Sequence, residues 1–132
     1  MPATHHINSE AKLIITTWEG KATDSDFIEA LNKYLNDIRS NPEYIDYNEI
    51  VNLSKATPIK LTIGGLLTIG RIAFETEKKF THKKMALIIE SDFALSLANL
   101  YIFYKNIGYR SRKKICVFKK ELEAYKWAKS IT

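Results

Sequence analysis

The chain has 132 residues, 45% of them hydrophobic, which is enough for one core and too short for two ordinary domains, so a single domain over residues 1–132 is expected. No apolar run approaches the roughly eighteen residues that span a bilayer, and Met1–His6 has no charged start leading into an apolar stretch; neither a membrane span nor an export signal is expected. The net charge is +5, yet residues 1–60 carry 6 Lys/Arg against 9 Asp/Glu and residues 61–132 carry 14 against 6, so any basic surface belongs to the second half.

Lys12 to Trp18 is rich in β-branched residues, and Ser9-Glu10 before it is a turn leading back to His5-His6-Ile7; the pattern predicts an opening strand pair. Thr23 then precedes Asp24-Ser25-Asp26, followed by Phe27, Leu31, Tyr34, Leu35 and Ile38 at helical spacing. A hydroxyl cap, first-turn carboxylates and that period predict a helix ending before Pro42. Ile50 to Leu53 reads as a short strand buried on both faces, followed by a loop containing Pro58. Thr62 to Lys78 reads as a helix with Leu66, Ile69 and Ala73 inward, and Gly64, Gly65 and Gly70 are expected to allow close packing on the sheet.

Met85 to Ile89 is a second buried strand, and Ser91 or Asp92 caps a helix running through Ile107 to Gly108. Ile115 to Phe118 gives the last strand, and Ala124, Trp127, Ala128 and Ile131 stripe a terminal helix. The order ββαβαβαβα predicts an α/β fold with a mainly parallel, mixed sheet and flanking helices, because parallel neighbours need long crossovers.

The segments Trp18-Glu19-Gly20 with Thr23 to Phe27, Asn52-Leu53-Ser54, and Val117-Phe118 with Glu123-Ala124 and Trp127 resemble the SpoIIAA-like group of STAS domains over nearly the whole chain. That resemblance implies a partner-switching module in which a strand ends in Asp-Leu-Ser and a phosphorylatable serine opens the next helix. Asn52 stands in place of the aspartate, Leu53-Ser54 is kept, and Thr62 falls at the phosphoacceptor position. The surroundings depart from the family pattern: Lys60-Leu61-Thr62-Ile63 replaces Asp-Ser-Ser-Gly.

Catalytic signatures are missing. His5 and His6 are adjacent with no third ligand nearby, which predicts exposed hairpin residues. Cys116, the only cysteine, sits inside an apolar strand, so neither a disulfide nor a thiol pair for a metal is available, and a reducing cytoplasm is the expected location. Gly64, Gly65 and Gly70 match neither phosphate-loop nor dinucleotide-binding spacing, and Asp24, Asp26, Glu19 and Asp37 fall where capping and solubility place carboxylates. No enzymatic activity, cofactor or metal is expected.

The first expectation is therefore a regulatory or scaffolding protein-binding module whose partner surface, by the resemblance, comprises Ser54, Lys55, Thr57, Lys60 and Thr62. The alternative is a carrier of a small apolar ligand or lipid, suggested by 15 aromatic residues, Phe 6, Tyr 7 and Trp 2. A weaker alternative is nucleic-acid binding through Lys78 to Lys84 and Arg110 to Lys114, where only Phe80 and Tyr109 could stack on bases. Helical phase further leaves Leu67, Phe74, Leu95 and Ile102 off the main stripes, which makes them candidate homodimer contacts.

Overall fold

The computed structural model describes residues 3–77, 83–104 and 113–130. Its elements are β1 (Ala3–Asn8), β2 (Leu13–Thr23), α1 (Asp24–Ser40), a 3-10 turn (Pro42–Asp46), β3 (Asn48–Lys60), α2 (Ile63–Glu77), β4 (Lys83–Ile88), α3 (Asp92–Tyr104), β5 (Lys113–Phe118) and α4 (Glu121–Lys129). They build one five-stranded sheet in the order β1-β2-β3-β4-β5. The β1–β2 pair is antiparallel and the other three pairs are parallel. This is the mixed α/β architecture predicted from the sequence.

Sequential parallel strands laid side by side, each joined by a right-handed crossover, put every connecting helix on the same face. Accordingly Tyr34, Leu35 and Ile38 of α1 pack on Ile14, and Ala94 and Ala98 of α3 pack on Leu87 and Ile89. The opposite face is covered by α4, whose Ala124 and Ala128 meet Leu13, Ile50, Ala86 and Ile88. The two-residue period of β4 thus sends Ala86 and Ile88 to one layer and Leu87 to the other, which is why that strand reads as a continuous apolar run.

Local chemistry sets the boundaries. Thr23 and Asp26 form a capping box: the Thr23 N–H donates to Asp26 Oδ2 at 2.9 Å, and the Asp26 N–H donates to Thr23 Oγ1 at 3.4 Å. The β1–β2 turn is fixed by the Ala11 N–H donating to Asn8 Oδ1 at 3.0 Å, with Lys12 at φ 54. Ser91 caps α3 by accepting from the Ala94 N–H at 3.1 Å.

Two expectations need correction. The segment around Pro58 is not a loop: β3 runs on to Lys60, pairing with β2 through Thr23↔Lys60. A proline is tolerated there because β3 pairs with β4 only from Glu49 to Asn52, so its second half has β2 as its one strand neighbour, and two register shifts absorb the irregularity. Gly65 serves a different contact from the one expected. A Cβ there would overlap the Asp24 carboxylate, so this glycine lets the start of α2 approach α1, whereas packing on the sheet was predicted.

Ile107, Gly108 and Ile131 lie outside the described residues. No helix among the described residues is long and apolar enough to cross a membrane.

Candidate functional site

Between the sheet and the layer of α1, α2 and α3 lies a cavity of about 200 Å³. Interiors ordinarily hold few voids larger than a water molecule, so a space of this size is a feature to explain. Its floor is the alternate residues of three strands: Thr16 and Trp18 of β2, Val51 and Leu53 of β3, Met85 and Leu87 of β4. The roof includes Phe27 and Leu31 of α1, Leu66 and Ile69 of α2, and Leu97 and Tyr101 of α3. Ile59 and Leu61, at the end of β3 and just beyond it, also line the space. None of the lining residues is exposed.

The cavity exists because the roof is built with small side chains. Ala30, Ala73, Ala94 and Ala98 are buried and line it. Four alanines opposite Trp18, Leu87 and Ile89 leave unfilled the volume that leucines would take. The sequence carried this signal in the i, i+4 pair Ala94 and Ala98. Alanine is the best helix former, so such a pair draws no attention in the sequence.

One end of the cavity is polar. His5 and Thr16 are directly paired across β1 and β2, and His5 Nδ1 lies 2.8 Å from Thr16 Oγ1. Glu49 opens the inward-facing row of β3 and Lys83 that of β4. The buried Lys83 Nζ donates to the Tyr34 hydroxyl at 2.7 Å and stands 3.8 Å from Glu49 Oε2. The same ammonium is 5.4 Å from the Tyr34 ring centroid, and the His5 ring is 6.1 Å from that of Tyr34.

His5 Nε2 is buried and has no hydrogen-bond partner among the described residues. Burial, helped by Lys33, lowers the His5 pKa below its ordinary value of 6.5; Asp37, Glu49 and a hydrogen bond with the Ala30 backbone pull the other way without reversing it, which favours the neutral imidazole. His5 is therefore not the exposed hairpin residue that the sequence suggested, although His6 is exposed. Adjacent strand residues face opposite sides, and only the inward one meets α1.

The sequence-derived partner residues lie elsewhere. Lys55, Thr57 and Lys60 are exposed on the second half of β3. The Ser54 hydroxyl donates to Asn52 Oδ1 at 2.6 Å, and Asn52 in turn donates to Glu121 at 2.8 Å. Thr62 caps α2: its hydroxyl accepts from the Gly65 N–H at 3.0 Å and donates to Asp24 Oδ2 at 2.6 Å.

Among the dimer candidates, Leu67 is 42% exposed. Leu95 packs against the Leu87 and Ile89 cluster, and Ile102 lines the cavity. The Phe74 side chain lies outside the described residues.

The basic clusters are only partly described. Lys83 is buried and so is not part of the basic surface expected of the Lys78 to Lys84 run. Lys84 Nζ donates to the Trp127 and Ser130 carbonyls at 3.2 and 2.9 Å, closing the end of α4. Lys78 to His82 and Arg110 to Arg112 lie outside the described residues. Among the described residues no three His, Cys, Asp or Glu side chains gather where they could hold a metal ion.

Sheet order, helix placement and chain length together define the SpoIIAA-like fold. A solved structure supports this directly. The chain is similar to an uncharacterised protein of the DUF3478 family with a SpoIIAA-like fold from Shewanella loihica PV-4, with a TM-score of 0.61 over 96% of this chain and 91% of that one. Sequence identity is 11%, so the likeness is one of fold. No family model and no curated protein matches the chain.

Proposed function

We propose that this protein is a non-catalytic binding module whose ligand is a small, mainly apolar molecule held in the cavity between the sheet and α1 to α3. The observation that carries the reading is the space of about 200 Å³ between the sheet and the helices, mainly apolar and polar at one end. Binding sites are commonly concave, largely apolar and furnished with a few placed polar groups, and this arrangement has that character at small scale. Native mass spectrometry of the purified chain, followed by thermal melting with ethylbenzene, tests it. The expected result is an adduct or a raised melting temperature; bare polypeptide mass together with an unmoved melting curve contradicts it.

A STAS-type protein-binding role is the second reading, and one observation favours it. Ile63 and Leu67 are 56% and 42% exposed and lie one helical turn apart, beside the exposed Lys60 and Thr62. A partner chain, or a second copy of this one, covering that edge would remove both from water. A phosphate on Thr62 fits this reading poorly, since it would stand against the Asp24 carboxylate and displace the cap on Gly65. Pull-down with Lys60→Glu and Leu67→Glu as controls discriminates: a partner lost in both variants supports the surface, and no partner in any sample contradicts it.

A further inference from the structure

We infer that the cavity's ligand is a flat ring compound of roughly ten carbon atoms, lying as a single layer between the sheet and the helices. The inference rests on the reading that the cavity binds a small molecule, and it adds the ligand's size and shape.

Size comes first. A dry apolar cavity of about 150 Å³ takes up benzene, so one of about 200 Å³ suits a body somewhat larger than a single ring. Ordinary drug-sized ligands occupy about 300 to 1,000 Å³, which is more than this space offers.

Shape follows from the floor. Thr16, Val51 and Leu87 are register partners on three neighbouring strands, and Trp18, Leu53 and Ile89, each two residues further on, line the space with them. Neighbouring strands and i, i+2 steps make that footprint about 10 Å by about 7 Å, and lining residues outside the two rows extend it. Spread over such an area, about 200 Å³ is a recess at most about 3 Å deep, close to one layer of packed carbon atoms.

The roof agrees with this. Its missing volume is shared among Ala30 of α1, Ala73 of α2, and Ala94 and Ala98 of α3. Small residues on all three helices make a broad, shallow recess, whereas a gap under one helix would make a deep and narrow one. Trp18 and Phe27 also line the space, their ring centroids 4.4 Å apart and their planes tilted by 32°. An aromatic ligand gains ring-to-ring contact there that a saturated body of equal size lacks. A globular body is more than one carbon layer thick and would have to push the helices off the sheet, which is costly in a packed interior.

The test is calorimetric titration of the full chain at neutral pH with ethylbenzene, 2-naphthol and 1-adamantanol. Each alcohol carries one hydroxyl on the same number of carbons, one flat and one globular, so their ratio reads shape. In the unchanged chain 2-naphthol is expected to bind about tenfold or more tightly than 1-adamantanol, the scale of an overpacking penalty. Leu66→Ala removes a buried side chain from the roof and deepens the recess, so the ratio should move about tenfold towards 1-adamantanol. Leu97→Ala, also in the roof, takes its place if Leu66→Ala does not melt cooperatively, and the ratio in the unchanged chain tests the inference even if neither variant does. If 1-adamantanol binds the unchanged chain within about tenfold of 2-naphthol or more tightly, if ethylbenzene binds and neither alcohol does, or if a folded variant keeps the ratio unmoved, the inference is overturned while the cavity reading stands. If none of the three probes binds, the cavity reading fails and this inference with it.

Discussion

His5 combines a sequence position that says little with a location that says much. Its neighbour His6 has the same side chain and the same strand, yet only His5 faces α1, paired with Thr16. No local pattern reveals this, because the burial of a β1 residue depends on which face a distant helix covers. Its titration follows from that burial. The folded-state pKa lies below the unfolded value near 6.5, so as pH falls the unfolded chain takes up a proton that the folded chain resists. The stability associated with a neutral His5 is therefore present above about pH 6.5 and is lost progressively towards the lowered folded pKa. Thermal melts between about pH 7.5 and pH 5 should show falling midpoints, and His5→Asn should flatten part of that slope; an identical slope in the variant would remove His5 as the cause.

The buried Lys83 and Glu49 pair belongs to the same scale. Removing one partner leaves the other buried without this counter-charge, at a cost of roughly 3 to 5 kcal/mol. Lys83→Met should lower stability in chemical denaturation by about that much, and adding Glu49→Leu should restore part of the loss. Additive losses would mean that the two charges do not depend on each other. Read from sequence, Lys83 was one more member of a basic run; its burial comes from β4 register and from Tyr34 above it, neither of which composition encodes.

At the scale of elements, α1 was the most legible, because its cap, first-turn acids and apolar period all agree and the capping box is present as expected. The length of β3 was hidden, since Pro58 and polar neighbours argue for a loop unless the pairing with β2 is known. The terminal helix was placed correctly, but Trp127 is only half-buried, with its ring 5.6 Å from that of Phe118 and Lys84 Nζ 5.2 Å from its centroid. Trp127→Ala should therefore cost about 2 to 3 kcal/mol, below the range for a fully buried aromatic, and an unchanged melting midpoint would mean that α4 is not held by this contact.

The start of α2 gives a paired comparison. Gly64→Ala meets only Thr62 Oγ1 at 3.9 Å, whereas Gly65→Ala meets the Asp24 carboxylate. The first should be neutral or stabilising by up to about 1 kcal/mol through lower unfolded-chain entropy, and the second destabilising. Equal effects in thermal melts would show that Asp24 moves aside freely.

For the whole molecule, the strand and helix alternation was sufficient for the architecture, because crossover handedness and parallel pairing leave few arrangements open. The cavity was not legible, since it arises from what four separate alanines fail to fill, summed over three helices that are distant in sequence. That difference in legibility changes the functional order. Family-like loop residues put protein binding first, whereas the reading proposed above rests on the cavity between the layers, which Ile59 and Leu61 line on either side of the exposed Lys60.

The most direct test of the central claim is ethylbenzene titration of the unchanged chain beside Ala98→Phe, a substitution that places a ring at one of the four alanines of the roof. Saturable binding in the unchanged chain, lost in an Ala98→Phe variant that still melts cooperatively, is the expected result. Absence of binding to the unchanged chain, or binding indifferent to the filled cavity, would contradict it.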